Sequence, residues 1–153
     1  MGKQDARSLG QILTSLLKEE NTSQSEVARK TGIHESQINR IFAGQGGHPF
    51  LYTLALILDE LNASPEEVEE VLAAAHYPPS NTLGGAIARL ILERKLQLKL
   101  ILAQNIFSAR TLTKIIHNKT RTRPHKATIQ TLLCTIGATP EEKAWILRVG
   151  GYT

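Results

Sequence analysis

Residues 24–43 read QSEVARKTGIHESQINRIFA, and their spacing decides the fold: two short helices joined by a tight turn. Ala28 is small where two helices cross closely, and Gly32 stands one residue past the first helical run, where a left-handed backbone reverses the chain. Val27, Ile33, Ile38 and Ile41 are the apolar positions that pin the pair to a core. With Ile38, Ile41 and Phe42 turned inward, a period of about 3.6 residues turns Ser36, Asn39, Arg40 and Ala43 outward and leaves Glu35 exposed on the first turn.

Upstream, Leu9, Ile12, Leu13, Leu16 and Leu17 form the stripe of an amphipathic helix from Arg7 to Glu20. Ser23 followed by Glu26 predicts a reciprocal capping box at the start of the next helix. Downstream, Gly44, Gly46 and Gly47 end the third helix, and Pro49 opens a fourth with Leu51, Leu54, Ala55, Leu58 and Leu61 on its buried stripe. Ser64, Pro65, Glu66 and Glu67 supply a cap, a first-turn proline and acids at the positive end of a fifth helix, which runs to about Ala75. Tyr77-Pro78-Pro79-Ser80-Asn81 cannot continue a helix, so a domain boundary is expected there, dividing the chain into residues 1–78 and 79–153.

The second half repeats the first. At an offset of 74, Leu9-Gly10, Val27, Ile33, Ile38, Arg40 and Ile41 meet Leu83-Gly84, Ile101, Phe107, Leu112, Lys114 and Ile115. Beyond one extra loop residue the offset is 75, where Pro49, Pro65-Glu66-Glu67 and Tyr77 meet Pro124, Pro140-Glu141-Glu142 and Tyr152. A tandem duplication is therefore expected. The second copy departs at the motif itself: Leu102 faces Ala28 and Ile106 faces Gly32, so either the tight crossing and turn are lost or a one-residue shift puts Ala103 at the crossing.

The chain has 153 residues, 41% of them hydrophobic and few aromatic, which suits one ordinary helical domain or two small ones. No apolar run reaches the roughly 20 residues of a membrane span, and the first residues carry no signal-peptide pattern, so a soluble cytoplasmic protein is expected. The single cysteine, Cys134, lies in an apolar helical stretch and is expected as a packed thiol. Five dispersed histidines offer no metal spacing, and Glu66-Glu67 and Glu69-Glu70 are explained by a helix start. No nucleotide loop, nucleophile motif or autocleavage segment is visible, so no enzyme activity, metal, cofactor or small-molecule ligand is expected. Residues 1–78 hold six Lys or Arg against eleven Asp or Glu, and residues 79–153 hold twelve against three. A net −5 beside a net +9 points to a polyanionic partner for the second half.

Residue types then assign roles toward double-stranded DNA. Arg40 can donate a bidentate pair to guanine, Asn39 can pair with adenine, and Glu35 can accept from a cytosine amino group; Ser36, Gln37 and His34 extend the same polar face. In the second half Arg110, Thr111, Thr113 and Lys114 lie on the corresponding helix, Ser108 to His117, and Lys119, Arg121, Arg123 and Lys126 follow in a loop of alternating cations and threonines suited to phosphates.

Residues 9–77 resemble the DNA-binding domain of the lambda-repressor-like, or XRE, helix-turn-helix family of bacteria, their phages and plasmids. The likeness rests on Gln24, Ala28, Gly32, Ile33, Ile38, Arg40 and Ile41, on Gly44 ending the third helix and on the proline opening the fourth. It implies a five-helix orthogonal bundle with the third helix in the major groove, and Gln24, Glu35, Ser36, Asn39 and Arg40 at the DNA. Residues 83–152 resemble the family through the repeat, as a divergent member. The expected fold is thus all-α, two tandem five-helix bundles, and the expected function a sequence-specific transcriptional regulator, a repressor, with two DNA-reading heads. The rival reading has one head and a second domain that serves homodimerisation or binds a partner such as a toxin.

Overall fold

A computed structural model of the chain describes residues 8–45, 51–97, 101–103 and 108–152, and every regular element among them is a helix. The described chain is all-α. It divides into two compact units, Met1–His76 and Tyr77–Thr153. The first unit contains α1 (Leu9–Glu19), α2 (Gln24–Thr31), α3 (Glu35–Phe42), α4 (Leu51–Glu60) and α5 (Pro65–Ala74). The second contains α6 (Leu83–Glu93), α7 (Ala109–Ile116), α8 (Lys126–Ile136) and α9 (Pro140–Val149), with Ile101 and Leu102 also helical. Arg7, the Gly46, Gly47 and Pro49 helix-stop and helix-start signals, and the Ile106 and Phe107 positions of the repeat lie outside the described residues.

In the first unit, Ile12, Leu13, Leu16 and Leu17 of α1 are buried, as the stripe requires. Ser8 sets the start of this helix: its hydroxyl accepts from the Gln11 N–H at 3.2 Å, and the Gln11 side chain accepts from the Ser8 N–H at 2.8 Å. Gly10 lies against the Phe42 carbonyl with no room for a Cβ, which brings α1 onto the end of α3. In α4, Leu51, Leu54, Ala55, Leu58 and nearby Leu61 are buried as expected, and Thr53 and Ile57 join them, so this helix is enclosed on most sides. Ser64 and Glu67 close a full capping box on α5 with Pro65 in its first turn, and Val71 and Leu72 fill the core from its other end. Each buried leucine or isoleucine contributes about 1.5–3 kcal/mol relative to exposure.

In the second unit, Thr82 caps α6, and Ile87, Ala88 and Ile91 are completely buried with Ile129, Leu132 and Leu133 of α8. Thr139 and Glu142 make the capping box of α9. Arg94 joins α6 to α9 through a 2.7 Å ion pair with Glu142. The Thr139 N–H and then the Arg94 guanidinium hold the Glu142 carboxyl below its usual 4.5.

Several expectations are corrected. Ser23 accepts from the Glu26 N–H, but Glu26 does not reach back; its carboxylate takes both Nε and Nη2 of Arg29 at 2.8 Å. A charge-assisted bidentate pair one turn along is the stronger option. Cys134 is exposed on α8, because Leu132, Leu133 and Ile136 take the inward positions; the Lys143 ammonium lies 3.3 Å from its sulfur. Ala103 is exposed and therefore does not sit at a helix crossing, and Ile33 is only half-buried. The Tyr77 ring stacks on His117, and the Pro78 carbonyl accepts from Arg89 at 2.7 Å, both within the second unit.

Candidate nucleic-acid interface

The α2–α3 pair is built locally. Ser23 satisfies one free N–H at the start of α2, and Thr31 at its end donates to the Val27 carbonyl at 2.7 Å and accepts from the Ile33 N–H at 3.3 Å. Gly32 then adopts φ +79°, the left-handed conformation that turns the chain within two residues of α3. Val27 and Ala28 are buried on one side of the turn and Ile38, Ile41 and Phe42 on the other. With these inward, Glu35, Ser36, Asn39, Arg40 and Ala43 are exposed, as the periodicity required, and His34 and Gln37 are exposed beside them. Gln24, in the first turn of α2, is half-buried.

One of these polar groups is already engaged. The Ser25 hydroxyl donates to Glu35 Oε2 at 2.7 Å, tying the first turn of α2 to the first turn of α3. Sequence reasoning assigned Glu35 to a base and overlooked Ser25. His34 occupies the N-cap position of α3, where its carbonyl accepts from Gln37 and Ile38 and its side chain makes no cap. The remaining outward groups, Ser36, Gln37, Asn39 and Arg40, carry donors and acceptors of the kind that read base edges.

In the second unit α7 buries Leu112, Ile115 and Ile116 and exposes Arg110, Thr111, Thr113 and Lys114. Ser108 caps this helix, accepting from the Thr111 N–H and donating to the Thr111 hydroxyl at 2.9 Å, so Thr111 is occupied by the cap. Lys119, Arg121, Arg123 and Lys126 are exposed in the following segment. Their roles differ. Arg123 donates to the Gly151 carbonyl at 2.7 Å with its guanidinium carbon 4.7 Å above the Tyr152 ring, and the Tyr152 hydroxyl donates to the Pro124 carbonyl. At the other end of the segment Asn118, at φ +57°, accepts from the Gly84 N–H at 2.7 Å. Gly151 and Tyr152 were missed as parts of this site; the recurrence of the tyrosine at the end of each half was the available signal.

Among the described residues no group of His, Cys, Asp and Glu side chains could hold a metal ion, and no helix is long and apolar enough to cross a membrane. Comparison with curated proteins and with solved structures finds no match. Residues 13–68, from within α1 to the first turn of α5, match a helix-turn-helix family model.

Proposed function

We propose that the chain is a sequence-specific double-stranded DNA-binding transcriptional regulator of the repressor type, with two helix-turn-helix heads in one polypeptide. The observation that carries the reading is the face of α3. Ser36, Gln37, Asn39 and Arg40 are exposed above a buried Ile38, Ile41 and Phe42, inside the region that matches the helix-turn-helix family. This face is short and rich in hydrogen-bonding groups, as a major-groove reader must be.

Support for the second head comes from backbone geometry rather than composition. At the offset of 74, Asn21 and Gly44 meet Lys95 and Asn118, and at 75, Asn62 and His76 meet Gly137 and Gly151; all eight have positive φ. Gly10 and Gly84, 74 apart, both meet carbonyl groups at the end of a later helix, Phe42 in one unit and Ile115 and Ile116 in the other. Ser64 and Thr139 share the same cap conformation, φ −72° and ψ 162°. A repeated bundle accounts for every one of these coincidences. On this reading the first head supplies selectivity through base contacts, and the second supplies affinity through phosphates, with Arg110, Lys114, Lys119, Arg121 and Lys126 as its cations and Arg123 engaged by the Gly151 carbonyl. Neutralising five phosphates gives a log–log salt slope of about −4.5.

Selection of bound sequences from a random duplex pool tests the reading. A bipartite, non-palindromic motif is expected, and no enrichment would refute it. One observation favours the rival with a homodimerising second unit: Trp145 on α9 is 45% exposed, the large apolar side chain left uncovered among the described residues. Light scattering separates the two, since a stable dimer through residues 83–152 favours the rival.

A further inference from the structure

Cations that contact phosphates work best when they need not be ordered on binding, because each long side chain immobilised on contact gives up rotamer freedom at the expense of affinity. The segment from Lys119 to Arg123 is held at both ends before any ligand arrives. Its start is fixed by Asn118, whose side-chain oxygen accepts from the Gly84 N–H at 2.7 Å. Its end is fixed by the final turn of the unit: Arg123 donates to the Gly151 carbonyl at 2.7 Å and stacks on the Tyr152 ring at 4.7 Å, while the Tyr152 hydroxyl donates to the Pro124 carbonyl. Gly151 has φ +82°, and a Cβ there would crowd Arg123 Nη1, so the clamp requires a residue without a side chain at this point. Lys119 and Arg121, between the anchors, are exposed.

We infer that Arg123 and Tyr152 are positioning residues, a clamp that pre-organises the basic loop so that Lys119 and Arg121 meet phosphates, and that Arg123 is not itself a phosphate contact. The inference rests on the reading of the second unit as a DNA-binding head. Arg123 places Nη1 on the chain's own Gly151 carbonyl and lays its guanidinium plane over the Tyr152 ring, a stacking geometry that lysine cannot reproduce. Tyr152 is buried and its hydroxyl proton is committed to the Pro124 carbonyl, so its contribution to DNA affinity comes through the loop.

The test uses the full chain and a labelled duplex of random sequence, titrated over a series of KCl concentrations, with thermal melting by circular dichroism as the control for folding. Tyr152→Phe keeps the ring and removes the bond to Pro124; Arg123→Lys keeps the charge and removes the fork. Both are expected to weaken binding by about fivefold to tenfold with an unchanged salt slope, at temperatures where both remain folded. Arg121→Ala, which removes an exposed cation, lowers the slope by about 0.9. If Arg121→Ala weakens binding while Tyr152→Phe and Arg123→Lys bind as the parent chain does, the clamp is overturned and the second head stands. If Arg121→Ala changes neither affinity nor slope, the second head fails and the clamp fails with it. Should Tyr152→Phe melt below the assay temperature, Arg123→Lys alone decides.

Discussion

Ser25 and Glu35, ten residues apart, are joined by a 2.7 Å hydrogen bond from hydroxyl to carboxylate that spans the turn of the helix-turn-helix. The bond stabilises the angle at which α3 leaves α2, and it removes one lone-pair direction of Glu35 from any ligand. Ser25→Ala is expected to destabilise the first unit by about 0.5–1.5 kcal/mol, read from urea unfolding. A double-mutant cycle with Glu35→Gln should give a non-zero coupling energy between the two sites. Strict additivity would mean that the pair does not hold the turn.

The outward face of α3 leads to a second expectation. Arg40→Ala and Asn39→Ala should each weaken binding to the selected duplex by about 1–3 kcal/mol and relax preference at one base pair. Repeating the pool selection with each variant shows which base pair each residue reads. Equal weakening on every sequence would assign Arg40 to the backbone instead.

Much of this architecture is legible in the residue order because its causes are local. The Gly32 turn, the α4 stripe and the caps at Ser64 and Thr139 each depend on residues within one or two helical turns, so spacing alone exposes them. What spacing does not expose is a choice between partners. Glu26 could reach back to Ser23 or forward to Arg29, and the bidentate ion pair prevails. Contacts across the fold were hidden for a different reason. Gly84 with Asn118, and Arg123 with Gly151, join residues 34 and 28 apart, and nothing in the intervening sequence marks the pairing. Arg123 therefore read as one more exposed cation.

Cys134 shows how an apolar run can mislead. Leu132, Leu133 and Ile136 are buried around it, yet its own position falls on the outer face of α8, where the Lys143 ammonium lies 3.3 Å away. The native chain should therefore react with one equivalent of a disulfide reagent such as Ellman's, without denaturant and at a rate near that of the unfolded chain. A thiol that reacts only after unfolding would contradict its exposure.

Acid should loosen the second unit at the contact between α6 and α9. The Glu142 carboxyl titrates below 4.5, because the Thr139 N–H and the Arg94 guanidinium favour its charged form. A depressed carboxylate pKa contributes stability that is present above the unfolded value and lost as pH falls through the folded one. Glu142→Gln retains an acceptor for the Thr139 N–H but no charge for Arg94. Its melting temperature should be lower than that of the parent chain at neutral pH, and the difference should shrink as pH falls below about 4.

At the alkaline end the sign reverses, and Tyr77 is one of the groups that contribute. Burial pushes its hydroxyl up to about 12 from 10.0, and its ring stacks on His117 with centroids 4.9 Å apart. Between these two values the folded chain retains a proton that the unfolded chain has released, so stability falls as pH rises through the window. A difference of about two units corresponds to about 2–3 kcal/mol by the top of it. Tyr77→Phe keeps the stacked ring and has no proton to lose. Unfolding free energies of the two chains, measured by urea titration from neutral pH to pH 12, should therefore run parallel up to about pH 10 and then diverge, with the parent falling faster. All other side chains are common to both proteins and cancel in the difference. Parallel curves throughout would mean that the hydroxyl of Tyr77 is as available to solvent in the fold as it is in the unfolded chain.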